Sequence, residues 1–104
     1  MNSMDKINVF RNERGWHHNS KEKDLAISIS LEASELLELF QWLDNEEALK
    51  QTERLEEELA DVLIYSYTLS DKLGFDIDDI IEKKLIKNAI KYPVKGKDIS
   101  VNRK

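Results

Sequence analysis

Two pairs of carboxylates, Glu32 with Glu35 and Glu58 with Asp61, are the residues whose type and spacing best suit chemistry. Each pair is spaced i, i+3, which on a helix sets both side chains on one face about a turn apart. The pairs fall on separate helical stretches divided by Asp44-Asn45, so a helical hairpin would bring all four together. Four carboxylates inside a fold repel one another and lose hydration unless cations neutralise them. Hard divalent ions with oxygen ligands are the natural counter-charge. The first reading is a magnesium-type site between two helices. For either pair alone the bland alternative is a solvated helix face, the reading that Glu38, Glu46, Glu47, Glu53, Glu56 and Glu57 take.

Helices must position these groups. The chain has 104 residues, one Pro and three Gly, with 40% hydrophobic and 36% charged residues, which suits one small soluble helical domain. Met4 to Arg14 reads as a first helix with Met4, Ile7 and Phe10 inward, ended by Gly15. Trp16 to Ser20 reads as a loop, and Asn19 with Glu22 has capping-box spacing. The second helix then runs from Ser20 or Lys21 to Trp42 or Leu43, with Leu25, Ile29, Leu36, Leu39, Phe40 and Leu43 on one arc. Glu32 falls inside that apolar arc and Glu35 at its margin, which asks for a partner, since an unpaired buried carboxylate is costly.

A third helix is expected from Asp44 or Asn45 to Leu73, stopped by Gly74, with Leu55, Leu59, Val62, Leu63, Leu69 and Leu73 inward and Glu58 at the arc margin. Asp76 caps a fourth, which packs Ile77, Ile81 and Leu85 and stops at Pro93. Lys84, Asn88 and Lys91 lie near the same arc, with Tyr92 one turn beyond Asn88. The expected architecture is all-α, a four-helix-bundle-like domain over residues 1–93, with 94–104 as a flexible basic tail. Two Trp and three Tyr are a hydrophobic surplus for so short a chain, so a homodimer or homotetramer is expected.

With no Cys there is neither a disulfide framework nor a thiolate metal site. No apolar run has the length of a signal peptide or a membrane span, which makes a cytoplasmic location the default and excludes a membrane partner. A formal charge of −5 argues against binding a nucleic-acid polymer. It leaves room for a nucleotide whose phosphates are carried by metal. His17 and His18 read as loop residues, because no acidic partner is spaced with them as a zinc site requires.

The run Leu31 to Trp42, ending Phe40-Gln41-Trp42, is followed by Glu57-Glu58-Leu59-Ala60-Asp61 and by Lys84, Asn88, Tyr92 and Pro93. This ordered set closely resembles the MazG-type nucleotide pyrophosphohydrolases, and the Phe-Gln-Trp ending is most like their dCTP pyrophosphatase branch. The resemblance covers roughly residues 4–93 and is carried by the ordered motifs. It implies an all-α oligomer that cleaves nucleoside triphosphates between the α and β phosphates, giving a monophosphate and pyrophosphate. Carried over by motif, Glu32, Glu35, Glu58 and Asp61 would be magnesium ligands, and Lys84, Asn88 and Tyr92 would meet phosphates or sugar. Trp16 and Trp42 would hold the base, with core or interface packing as their bland alternative.

The residue types fit that chemistry. The catalytic assignment falls on Glu35, as the base that takes a proton from water, and on Glu58. Lys84 and Lys91 would offset charge on departing pyrophosphate, their alternative being ordinary surface lysines. Stacking alone does not choose cytosine over uracil, so the expected substrate is dCTP or a related pyrimidine nucleotide, with dUTP or a damaged nucleotide as alternatives. From a different class, the alternative is a non-catalytic helical interaction module.

Overall fold

The computed structural model describes residues 1–16 and 21–94. These form five helices and no strand: α1 (Ser3–Glu13), α2 (Glu22–Gln41), α3 (Asn45–Leu49), α4 (Thr52–Lys72) and α5 (Ile77–Lys91). The all-α expectation holds. No described helix is long and apolar enough to cross a membrane. The chain divides into two compact units, Met1–Gly74 and Phe75–Lys104.

In the first unit α2 packs against α4, while α1 lies on α4 and α3 on α2. Asn2 caps α1 by accepting from the Asp5 N–H at 2.9 Å. Gly15 closes its end at φ +70°, a left-handed conformation that favours glycine. The expected capping box at Asn19 lies outside the described residues; α2 starts after Lys21, which makes no side-chain cap bond.

The expected third helix is two helices. Asp44 caps α3 by accepting from the Glu47 N–H at 2.9 Å, and the chain leaves helical geometry at Gln51, whose φ of −89° and ψ of 50° open the break. Two contacts account for it. Ala48 is fully buried in the short turn of α3. The Gln51 amide donates to the carbonyl oxygens of Leu39, at 3.0 Å, and Ala48, at 3.4 Å. Leu39 lies in the last turn of α2, where carbonyls lack helical partners, so Gln51 satisfies one while starting α4. The bond ties the end of α2 to the start of α4 in the antiparallel pair.

The apolar arc of α2 is seated as expected at Leu25 and Leu39, which are buried, and at Ile29, Leu36 and Phe40, which are half-buried. Leu43 stays exposed, as do Leu59 and Leu63 on α4, Leu73 at its C-cap and Phe10 on α1. In the second unit Gly74 (φ +75°) precedes α5, and Asp76 caps α5 by accepting from the Asp79 N–H at 2.9 Å. Ile77 is half-buried, while Ile81 and Leu85 are exposed.

Candidate active site

The antiparallel α2 and α4 present their carboxylates to each other. One oxygen from each of Glu32, Glu58 and Asp61 lies within 4.8 Å of the others, and all three residues are half-buried. Glu32 Oε1 and Glu58 Oε1 are shielded from solvent with no hydrogen-bond partner. Buried carboxylate oxygens are normally paired, and a pair of orphans converging from two helices is what an oxygen-ligated cation would satisfy.

The electrostatics express the same crowding. Burial is the main cause that pushes the Glu32 carboxyl above the ordinary carboxylate range, followed by the charges of Glu35, Asp61 and Glu58 and a hydrogen bond with Asp61. Glu58 is raised first by burial, then by its hydrogen bond with Glu35 and by the charges of Glu35 and Asp61, against a smaller lowering by Arg54. Glu35, itself exposed, is thus in contact with the cluster through Glu58 but outside the three-oxygen group. Glu38, Glu46, Glu47, Glu53, Glu56 and Glu57 are all exposed.

Beside the cluster is a recess of about 260 Å³, lined by Arg11, Trp16, Asp24, Leu25, Ser28 and Tyr65. Ser28 precedes Glu32 by four residues on α2, and Tyr65 follows Asp61 by four on α4, so the recess lies one helical turn from the carboxylates on the same faces. Trp16 is therefore brought to the acidic site. Its ring meets Phe10 edge-on at 5.8 Å, and the Arg14 guanidinium covers the other ring at 3.6 Å from the Phe10 centroid. Trp42 forms the C-cap of α2 and is 84% exposed. Ten residues separate it from Glu32, roughly 15 Å along a helix.

Lys84, Asn88 and Lys91 share a stripe of α5 within the second unit. Asn88 is half-buried and both lysines are exposed. Tyr92 caps the helix, its N–H donating to the Asn88 carbonyl at 2.7 Å, and the Lys91 ammonium lies 5.5 Å from the Tyr92 ring centroid. His17 and His18 lie outside the described residues. Sequence reasoning missed Arg11, Asp24 and Ser28 as neighbours of the site. Helical register from Glu32 marks Ser28, but Arg11 and Asp24 line one recess only through the packing of α1 against the bundle.

The MazG-like family model matches residues 27–103 of this chain. The chain is 36% identical over 91 residues to dCTP pyrophosphatase 1 of Bos taurus, covering 82% of this chain and 54% of the relative. It is 32% identical over 90 residues to dCTP pyrophosphatase 1 of Homo sapiens, covering 81% and 53%. It thus spans about half the length of the curated relatives it matches. A pyrophosphatase from Archaeoglobus fulgidus, known from its crystal structure, is 40% identical, with a TM-score of 0.81 over 86% of this chain and 88% of that one.

Proposed function

The chain belongs to the MazG-like family, and from that premise we propose that it is a nucleotide pyrophosphohydrolase. It cleaves a nucleoside triphosphate between the α and β phosphates to a monophosphate and pyrophosphate, with dCTP or a related pyrimidine nucleotide as substrate. The observation that carries this reading is the convergence of Glu32, Glu58 and Asp61, with two oxygens buried and unpartnered. The likeness to dCTP pyrophosphatase 1 and to the Archaeoglobus enzyme supports it.

These three residues would hold magnesium, and their all-oxygen donor set fits that ion. When bound, the ion would neutralise phosphate charge, polarise a phosphoryl oxygen and make water more acidic. Glu35 lies at the edge of the cluster and keeps access to solvent, which suits it to receive the proton of the attacking water. Trp16, at the wall of the adjoining recess, would stack on the base. Lys84 and Lys91 would offset charge on the departing pyrophosphate, and Asn88 and Tyr92 would meet phosphate or sugar.

Self-association accompanies this reading. The buried apolar side chains among the described residues are Leu25, Leu39 and Ala48, while Ile27, Leu31 and Leu37 on α2 and Leu59, Leu63 and Ile64 on α4 stay exposed. An apolar groove of about 280 Å³ also lies between α1 and α4, lined in part by Ile7, Leu63, Ile64 and Tyr67. A second copy would supply the burial that a domain of this size lacks, and light scattering distinguishes dimer from tetramer.

Product analysis tests the reaction. Purified protein incubated with each common NTP and dNTP should release monophosphate and pyrophosphate with magnesium present and none under chelation. Glu58→Gln and Asp61→Asn should remove that turnover while the helical circular dichroism is kept. Orthophosphate release would reject cleavage between the α and β phosphates. Undiminished hydrolysis by both variants would reject the site.

A further inference from the structure

The carboxylates lie in the middle of a series of matched positions between α2 and α4. Ser28 and Tyr65 line one recess, Glu32 is hydrogen-bonded with Asp61 and Glu35 with Glu58, and the Leu39 carbonyl accepts from Gln51. As residue numbers climb on α2 they fall on α4, so the series has a direction. The recess is at one end, the carboxylates follow, and the Gln51 bond closes the other end. Arg54 stands between the carboxylates and that far end. On α4, Arg54, Glu58, Asp61 and Tyr65 are spaced i, i+4, i+7, i+11, which puts them on one stripe within about 60° around the helix. Arg54 is roughly 6 Å of helix rise from Glu58. Burial and the neighbouring acids raise the Glu58 carboxyl, and the Arg54 charge opposes them.

We propose that Arg54 binds the terminal phosphate of the substrate triphosphate, which lies along the α2–α4 interface with its base toward Trp16 and its pyrophosphate end toward Gln51. This inference rests on the reading that the carboxylates act on nucleotides. It adds the residue that takes the far end of the phosphate chain and the direction in which that chain runs.

The order of groups in the substrate sets the direction. Base, α phosphate and pyrophosphate follow one another along a nucleoside triphosphate, and the cleaved bond sits between the last two. With the base against Trp16 and the α phosphate at the carboxylates, the pyrophosphate extends beyond them, away from the recess. Arg54 is the cation on that side. The other cations of α2 and α4, Lys23 and Lys72, are each more than two turns from the carboxylates, and Lys84 and Lys91 belong to the other unit. In cleavage the water oxygen bonds the α phosphorus, its proton passes to Glu35, and the bond to the α–β bridging oxygen breaks with its electron pair on the pyrophosphate. Charge therefore grows at the Arg54 end, where a guanidinium offers a two-pronged donor set to phosphate oxygens and keeps its proton. An ordinary helix-surface role fits Arg54 less well. It makes no ion pair among the described residues, and a cation four residues before a Glu is the weaker order of an i, i+4 pair. Arg54 is exposed, so its donors are open to a ligand.

Arg54→Ala is the informative change. Arg54 is exposed on α4 and alanine favours helix, so the fold should survive, as circular dichroism and melting would verify. The first readout is the ratio of kcat/KM for the triphosphate that the parent hydrolyses best to that for its diphosphate, which lacks the terminal phosphate. Arg54→Ala should lower this ratio about tenfold, the low end for a hydrogen bond to a charged group because Arg54 is open to solvent. Arg54→Lys keeps the charge and loses the fork, and should lie between. Calorimetry gives a second readout that needs no catalysis. With magnesium present, pyrophosphate should bind Arg54→Ala about tenfold more weakly than the parent, while dCMP binds both alike. Magnesium alone should bind the variant at least as tightly, since a repelling charge has gone, which separates a lost phosphate contact from a damaged metal site. An unchanged ratio of triphosphate to diphosphate, or pyrophosphate and dCMP weakened equally, overturns the proposal while leaving the hydrolase reading intact. If no nucleotide is hydrolysed yet pyrophosphate binds in an Arg54-dependent way, the hydrolase reading falls and the Arg54 assignment stands.

Discussion

Replacing Glu32 by glutamine should have opposite effects on stability in the absence and presence of magnesium. In metal-free protein the substitution removes one charge from a cluster in which three carboxylate oxygens lie within 4.8 Å, and an amide can donate to Asp61 where a carboxylate repels it. The pH dependence follows from the direction of the shift. Glu32 and Glu58 both have folded-state values raised above the usual 4.5, so the folded chain holds protons that the unfolded chain has released. The contribution of these two groups to the stability of the metal-free parent is therefore full below about 4.5 and is lost as pH rises through the raised values. Glu32→Gln should match or exceed the parent in stability at pH 7, with the advantage closing as pH falls toward 4.5.

Magnesium reverses the comparison. An ion present at a hundred times its dissociation constant adds about 2.7 kcal/mol to the unfolding free energy. For a domain near 100 residues that is a rise of roughly 10–20 °C in Tm. If the glutamine, with one neutral donor oxygen in place of a carboxylate, weakens the ion tenfold, the gain drops to about 1.4 kcal/mol. Differential scanning calorimetry of both proteins at pH 7, with chelator and with magnesium titrated in, reads all these quantities. Glu32→Gln less stable than the parent under chelation would refute the reasoning, because Glu32 would then be satisfied by a structural cation. Equal magnesium shifts in the two proteins would remove Glu32 from the ligand set.

Leu25→Ala should cost about 2–5 kcal/mol, because Leu25 is only 2% exposed and the whole fold stands on a margin of roughly 5–15 kcal/mol; urea titration gives the value. Gln51→Ala should cost about 1 kcal/mol by freeing the Leu39 carbonyl that Gln51 holds at 3.0 Å, read as a Tm lower by roughly 4–8 °C. Trp16→Ala should raise KM with little change in kcat, as loss of a stacking wall worth roughly 1–3 kcal/mol does. Trp42→Ala, at a position 84% exposed, should raise it less, and steady-state kinetics on the two variants would expose the opposite order.

The carboxylate constellation was legible because helical spacing is a local property. The apolar arc of α2 puts Glu32 between Leu25 and Leu39, and both leucines are the buried residues of that helix. The same periodicity did not reveal the break before α4. Lys50-Gln51 carries no Gly or Pro, and the cause is a contact twelve residues away, from Gln51 to Leu39. Nor did the pattern show how thin the core is. Leu59 and Leu63 sit on the apolar arc of α4 yet stay exposed, because periodicity gives the direction of a face and not whether a neighbour covers it. The recess escaped for a related reason. Arg11 and Trp16 are joined across the end of α1, and the packing of α1 along the bundle brings them beside Asp24.

The two halves of the proposed site are carried by the same pair of helices, and this has a mechanical consequence. Glu32 and Ser28 are successive turns of α2, as Asp61 and Tyr65 are of α4. On the proposed reading, a base at the recess and phosphates at the carboxylates would both be positioned by the packing of α2 on α4. Leu25 lines the recess and is also the most deeply buried side chain of α2. The packing that keeps α2 on α4 would therefore also set the distance between a base at the recess and the proposed chemistry. Interactions with the remote base can then contribute to orientation at the reacting phosphate, where a misplacement of about 1 Å costs on the order of a hundredfold in rate.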